Sequence, residues 1–280
     1  MESGLYVVGT PIGNLSDLSG RAAETLAAVD VVYAEDTRRT GVLLREAGIE
    51  VRLRSLHEHN EAARSEEVVE LVSGGGSAAL VSDAGTPAIS DPGRRVVGLV
   101  LEAGLPVRSV PGPSAPAAAL SVAGLPADRY TFLGFAPRSG AEREAWLARA
   151  AASTETVVVF ESPRRTTALL EDLEAEGLGE RTCVLCRELT KLHEEVLRST
   201  VAELARRLAA DEPRGEVTLV LEGGAPPDWQ ENEDEMRREA RRRAELGEST
   251  RDIAGRLQRT FGAPRNRAYE IALDAATGSG

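Results

Sequence analysis

Cysteine is scarce in this chain: Cys183 and Cys186 are the only two in 280 residues. They form a single C-x-x-C, and a zinc centre with four protein ligands has no second pair to draw on. The run Thr182-Cys183-Val184-Leu185-Cys186 reads instead as a buried strand, in which cysteine packs as a small hydrophobe. Lysine is scarcer still, present once at Lys191, and histidine occurs three times, at His57, His59 and His193. There is no run of about 18 apolar residues, so no membrane-spanning helix is expected. The start, Met1-Glu2-Ser3-Gly4, has neither the basic residues nor the apolar stretch of a secretory signal, and the cytosol is the expected compartment. The first strand is followed by neither G-x-G-x-x-G nor G-x-x-x-x-G-K-[ST], so dinucleotide and P-loop readings find no support.

What is present is a chain with 42% hydrophobic residues and a net charge of −12. That length and apolar content suit about two domains with a sizeable core. The acidic balance argues against indiscriminate binding of nucleic acid. The charge is uneven, however: from Arg237 to Arg267 ten arginines face only Glu239, Glu245, Glu248 and Asp252.

Strand and helix patterns alternate through residues 1–123. Strands are expected at 5–9, 31–34, 51–54, 78–81 and 107–110. Helices are expected at 18–28, 40–47, 60–73, 91–103 and 114–123, with Asn60 and Ser90 as caps and Gly48 and Gly104 as stops. Strands joined by helical crossovers imply a mostly parallel sheet covered on both faces. After the hinge-like Gly124-Leu125-Pro126, residues 126–223 form a second α/β unit with a mixed sheet. Its strands are expected at 130–135, 156–160, 182–187, 194–199 and 216–221, and its helices at 142–151, 164–176 and 201–210. A linker, Gly223-Gly224-Ala225-Pro226-Pro227, precedes a helical tail at 230–280.

The loops after strands carry the chemistry-bearing residues. The most informative is Ser82-Asp83-Ala84-Gly85-Thr86-Pro87-Ala88-Ile89-Ser90-Asp91-Pro92-Gly93, which follows an apolar strand. In an open α/β sheet ligands sit at the carboxyl ends of strands, and glycines there let backbone approach a ligand closely. Gly9-Thr10-Pro11-Ile12-Gly13-Asn14 is a rigid polar turn after the first strand. Glu35-Asp36-Thr37-Arg38-Arg39 follows the second strand, where carboxylates favour a helix dipole or take a substrate proton. His57-Glu58-His59 follows the third; the two histidines share a side of an extended segment, but further metal ligands are lacking, and a substrate-facing acid/base loop is the better reading. Pro111-Gly112-Pro113-Ser114-Ala115 follows the fifth, with Ser114 placed as a helix cap. In the second unit, Glu161-Ser162-Pro163-Arg164-Arg165 offers paired guanidiniums, and Arg187 to Glu195 a polar connection between strands.

Taken together, Leu5–Asn14, Ala34–Thr40, Ser55–Glu61, Ser82–Gly93, Val110–Ala115, Phe160–Arg165, Arg187–Glu195 and Gly215–Gly223 resemble the small-subunit ribosomal RNA 2′-O-methyltransferase I family, within the tetrapyrrole-methylase superfamily. The resemblance implies two α/β domains around a cofactor cleft, S-adenosylmethionine as methyl donor, and a homodimer. It implies methylation of a cytidine ribose in 16S rRNA. Carried onto this chain, the donor lies against Pro11, Gly85, Thr86, Ser114 and Ala115, with Asp83 nearby and Glu216 and Val217 closing the pocket. Thr86 stands where the superfamily carries Asp, which favours RNA over a tetrapyrrole. In the tail, Arg265-Asn266-Arg267 stands where the family leads one to expect lysine.

A ribose hydroxyl needs a base, and Asp36 and Glu58, with His57 after them, are the expected candidates by their place at strand ends. Arg38, Arg164 and Arg165 are expected phosphate contacts. The acidic net charge suggests a partly assembled small ribosomal subunit as the target. Two other readings remain open from the sequence: a porphyrinoid C-methyltransferase, and a non-catalytic RNA-binding or assembly protein.

Overall fold

The computed structural model describes residues 1–211, 213–225, 229–230 and 232–278. Pro226 and Pro227 of the expected linker, and Glu231, Ser279 and Gly280 of the tail, lie outside the described residues. Residues Met1–Gly223 make one compact unit and Gly224–Gly280 a second.

The first sheet contains β1 (Gly4–Val8), β2 (Val31–Ala34), β3 (Arg52–Ser55), β4 (Ser77–Val81) and β5 (Val107–Val110), in the order β3-β2-β4-β1-β5. Every pairing in it is parallel. Parallel strands covered on both sides read as continuous apolar runs, and all five residues of β4 are buried. Alternation along each strand feeds two cores. Tyr6, Val8, Val32 and Val81 face α1 (Gly20–Ala28) and α2 (Thr37–Glu46). Leu5, Val31, Tyr33 and Leu80 face α3 (Glu61–Ser73) and α4 (Arg94–Glu102). Each fully buried leucine or valine among them contributes roughly 1.5–3 kcal/mol.

The second sheet has β6 (Tyr130–Phe135), β7 (Thr156–Glu161), β8 (Thr182–Arg187), β9 (Glu195–Thr200) and β10 (Val217–Leu221), in the order β6-β7-β10-β8-β9. Only β6 and β7 run parallel; the other three pairings are antiparallel. One face packs on α6 (Ala141–Ala152), α7 (Pro163–Leu173) and α8 (Val201–Ala210). The other face is covered by α5 (Ala115–Ala123), through Ala119, Leu120 and Ala123. So α5 leaves the last strand of the first sheet and roofs the second. Its first turn stands where both sheets present loops.

Cys183 packs in the core beneath α6–α8 and Cys186 in the core beneath α5. Three residues apart on a strand, the two sulfurs point to opposite faces, so this C-x-x-C cannot close on itself. Burial pushes the Cys186 thiol up to about 11 and Cys183 higher still.

Residues 224–278 hold α9 (Glu233–Glu245), α10 (Thr250–Phe261) and α11 (Arg265–Thr277) around Met236, Ile253, Leu257 and Ile271. The arginine excess there is partly consumed internally: Arg237 and Arg267 both pair with Glu233, and Arg243 pairs with Glu239 and Glu248. Among the described residues no helix is long and apolar enough to cross a membrane.

Two local expectations fail among the helices that cover the first sheet. Ser90 does not cap a helix, and Asp91-Pro92 is not its first turn: α4 begins at Arg94, three residues later than Asp91. Ala88 and Ser90 both have left-handed backbone, at φ 67° and 62°, which a helix cannot accommodate. The free N–H groups of α4 find Glu61 of α3 instead, whose Oε1 accepts from Gly93 N at 2.9 Å and Arg95 N at 3.0 Å. Asn60 occupies the cap position of α3 but makes no side-chain cap bond. Its Oδ1 accepts from His57 N and its Nδ2 donates to Ser55 O, tying the loop after β3.

Candidate active site

Three loops at the carboxyl ends of β1, β4 and β5 are fastened to one another through main chain. Thr10 N donates to Gly85 O at 2.9 Å, and Gly85 N returns the bond to Thr10 O at 3.1 Å. Gly85 has φ +93°, and a Cβ there would meet Ile12 Cγ2 at 3.2 Å. Gly9 and Gly112 touch directly: a Cβ on Gly112 would lie 2.7 Å from Gly9 O. Thr86 Oγ1 donates to Pro113 O at 3.3 Å, and buried Thr10 Oγ1 donates to Ser82 O at 3.2 Å. Glycine is required at these positions because the loops approach at main-chain contact distance.

These loops bound a cavity of about 380 Å³, roomy enough for a nucleoside-sized ligand. Of the donor-binding residues expected from the sequence, Asp83, Gly85, Thr86, Ser114, Ala115, Glu216 and Val217 all line it. Pro11 is buried beside it, and its neighbour Ile12 supplies the lining. Ser114 sits at the cap position of α5 without making a cap bond, as does Ser162 for α7, and both face the cavity.

The cavity is acidic on the first-sheet side. Asp83 Oδ1 accepts from Asp36 N at 2.9 Å, and Arg39 pairs with Asp83 at 3.4 Å. Asp91 is pushed up to about 6, first by burial and then by the charge of Asp83, against a hydrogen bond from Ser82. Glu35 is raised as well, by burial and by Asp83 and Asp91. On the second-sheet side Glu161 is fully buried; its Oε1 accepts from Ser162 N and its Oε2 pairs with Arg165 at 3.0 Å. Phe160 and Phe135 form an aromatic wall. The rim is held by Lys191, whose Nζ bridges Glu188 at 2.8 Å and Glu216 at 3.1 Å. Glu188 and Thr190 are themselves left-handed, at φ 52° and 67°, a strain of the kind that gathers at functional sites.

The remaining expected residues stand outside this lining. Asp36 caps α2 by accepting from Arg38 N at 2.8 Å, and the Arg38 guanidinium beside it holds its carboxyl down at about 2. His57 is half-buried on the loop after β3, and Glu58 is exposed there. The ring of His57 lies edge-on to that of His59, with centroids 6.0 Å apart. Arg38 is exposed; Arg164 is exposed beside Arg214 on an adjoining groove that shares Ser162 and Pro163 with the cavity. Arg165 donates to Ala136 O and holds Glu161. Among the described residues no group of three His, Cys, Asp or Glu is placed to hold a metal ion.

Sequence reading passed over Arg39, Asp91, Phe135, Phe160 and Glu161 as site residues. Glu161 did carry a signal, as the acid that ends the apolar run Val157-Val158-Val159-Phe160. Phe135 carried none.

The residues present fit a methylsulfonium nucleoside. Carboxylates complement its positive charge and its sugar hydroxyls. Ile12, Ala84 and Ala115 offer apolar surface for its base.

Comparison with known proteins agrees. Residues 4–205 match the family described as Tetrapyrrole (Corrin/Porphyrin) Methylases. A Mycobacterium tuberculosis protein named Ribosomal RNA small subunit methyltransferase I is 48% identical over 229 residues, covering 81% of this chain and 80% of its own. One of the same name from Escherichia coli O157:H7 is 43% identical over 273 residues, covering 96% and 94%. Among solved structures, a cobalt precorrin-4 methyltransferase matches with TM-score 0.61 at 18% identity, over 78% of this chain and 94% of that one. A diphthine synthase matches with TM-score 0.58 at 19% identity, over 78% and 89%. At such identities these structures share the fold.

Proposed function

The chain belongs to the tetrapyrrole methylase family and to the ribosomal RNA small subunit methyltransferase I proteins within it; from that premise we propose that it methylates the ribose 2′-hydroxyl of a cytidine in 16S rRNA. The donor, S-adenosylmethionine, supplies when bound a methyl group on a positively charged sulfur. The chain's own contribution is chiefly alignment, because the leaving group is already good. Asp83, Gly85, Thr86, Ser114, Ala115, Glu216 and Val217, with Pro11 behind them, hold the donor. The carboxylates of Asp83 and Asp91 in the lining favour a cation, and the loops tied through main chain hold their donors and acceptors fixed before the substrate arrives.

As the 2′-oxygen bonds to carbon it gives up a proton, which passes to a carboxylate or imidazole of the chain. Asp91 is the candidate inside the cavity, and its raised pKa of about 6 suits a base at neutral pH. Asp36, Glu58 and His57, on neighbouring loops, are retained as proposals for a base that acts when the RNA is seated. Arg38 and Arg164 are proposed as phosphate contacts, and Arg165 as a third from a guanidinium already anchored on Glu161. The proposed target is the partly assembled small subunit, the proposed assembly a homodimer and the proposed compartment the cytoplasm. The domain limits 1–123, 126–223 and 230–280 are proposed alongside, since each segment carries its own sheet or helix group.

The observation that carries this reading is 43% identity across 96% of the chain, joined to a cavity of about 380 Å³ lined by Asp83, Asp91, Glu161 and Glu216. The names of such relatives favour RNA over the porphyrinoid and non-catalytic alternatives. The test pairs calorimetry, using S-adenosylmethionine and its demethylated product, with tritium transfer onto rRNA and onto small subunits from a strain lacking the gene. Binding plus label in a single cytidine is expected. Absence of donor binding by well-folded protein overturns the reading. Equal rates on naked rRNA and on the particle overturn the choice of the particle as substrate.

A further inference from the structure

The pairing of β6 with β7 runs Phe132↔Val158 and then Phe135↔Phe160, so β6 uses three residues where β7 uses two. The extra residue makes a bulge, and Gly134 within it has φ +62°. Side chains alternate along a regular strand, which would put Phe132 on one face and Phe135 on the other. The bulge reverses this and brings Phe135 to the face shared by Phe132, Val158 and Phe160. There Phe135 lines the cavity yet remains 55% exposed. Its ring lies 5.5 Å from that of Phe160, which is braced edge-on by Phe132 at 4.9 Å. Ile89, 43% exposed, lines the same cavity from the loop after β4. An aromatic ring turned out of alternation and left half in water gains little from core packing; its position makes sense as a surface for a planar ligand.

We propose that Phe135 is the stacking platform for the nucleobase of the nucleotide being methylated. This rests on the rRNA reading above and names the contact that aligns the acceptor. The donor is a small molecule held by the loops of β1, β4 and β5 together with Glu216 and Val217, whereas a base belonging to a polynucleotide must reach the cavity from solvent, to which Phe135 is exposed. Bases taken out of a helix are held by stacking on aromatic side chains. A phenyl ring has no hydrogen-bonding group, so Phe135 orients the base without reading its identity.

The experiment uses the full chain with Phe135→Ala, Phe135→Tyr and Phe135→Trp. Affinity for the demethylated donor product is measured by calorimetry, and kcat and KM on small subunits by label transfer. For F135A a loss of about ten- to a hundredfold in kcat/KM is expected, with donor-product affinity kept within about twofold. F135Y and F135W are expected to restore most of that loss. The added fluorescence of F135W, above that of Trp146 and Trp229, should be quenched by a cytidine-containing single strand when donor product is bound. An F135A enzyme equal to wild type overturns the proposal while leaving the methyltransferase reading intact. Equal losses in donor affinity and turnover overturn it too, because the ring then serves the donor's adenine. Wild-type protein that methylates no rRNA overturns the reading and this inference together.

Discussion

The two sheets of Met1–Gly223 build one cavity by different means. The loops of the parallel sheet are tied to one another through main chain: Thr10 to Gly85, Gly9 against Gly112 and Thr86 to Pro113 are all contacts in which backbone takes part. The mixed sheet contributes side chains: the Phe135–Phe160 pair, Glu161 held by Arg165, and Lys191 bridging Glu188 and Glu216. Main-chain contacts are rigid and tolerate few substitutions, which suits a donor that is the same in every turnover. Phe135 and Phe160, on strands, can be exchanged without refolding the loops, which suits a surface that meets an acceptor. A fold that hosts different acceptors can therefore keep the first half and vary the second.

The sharpest way to break this contrast is Gly112→Ala. Its Cβ would lie 2.7 Å from Gly9 O, and neither loop can retreat without opening the proposed donor pocket. Donor binding should fall below detection by calorimetry, with a loss of stability of roughly 2 kcal/mol or more in urea unfolding. Retained donor affinity would show that the loops are looser than their contacts imply.

Asp91→Asn is the next largest. It keeps the shape of the floor but removes the proposed base, so kcat should drop by roughly 10²–10⁴-fold with donor affinity changed only a few-fold. In the wild type, kcat/KM should rise with pH through about 6 as Asp91 loses its proton, and that limb should vanish in D91N. The same carboxyl links pH to stability with a definite sign. Folded protein holds this proton more tightly than the unfolded chain, whose Asp titrates near 3.8. Stability from this group therefore declines as pH rises from about 4 to about 6 and is level above. With Asp91 partly open to solvent the decline amounts to about 1 kcal/mol, and D91N should lack it. A rate limb that survives in D91N would move the base to Asp36, Glu58 or His57.

The smallest effects separate neighbours on α7. Arg165→Ala strands the buried carboxylate of Glu161 and should cost roughly 2–3 kcal/mol of stability, measured by thermal or urea unfolding. Arg164→Ala, on an exposed side chain, should leave stability within about 0.5 kcal/mol. It should instead weaken RNA binding and lower the salt slope by about one. The reverse result would exchange their structural and RNA-contacting roles.

Much of this was legible beforehand. The bounds of β2, β5, β6, β8 and α8 coincide with those read from the sequence, because apolar runs, Gly stops and a Thr cap mark them locally. Much of the cavity lining was legible as well, since Gly85, Thr86 and Ser114 sit at the ends of strands that the pattern had already placed. The start of α4 was not: Glu61, which serves its free N–H groups, lies 32 residues before Gly93. Nor was the role of Arg39 over Arg38, a choice made by which side of α2 faces Asp83.

The sequence alone determined the alternation of strands and helices, the glycine and proline loops, and a family resemblance that names the donor and a class of acceptor. These depend on short-range geometry and on motifs that can be read along the chain. Tertiary structure alone decided that α5 roofs the second sheet, that Asp91 is half-buried near Asp83, and that one extra residue in β6 turns Phe135 toward the cavity. Each of those outcomes depends on register or proximity between segments far apart in the chain, and no local window contains both partners.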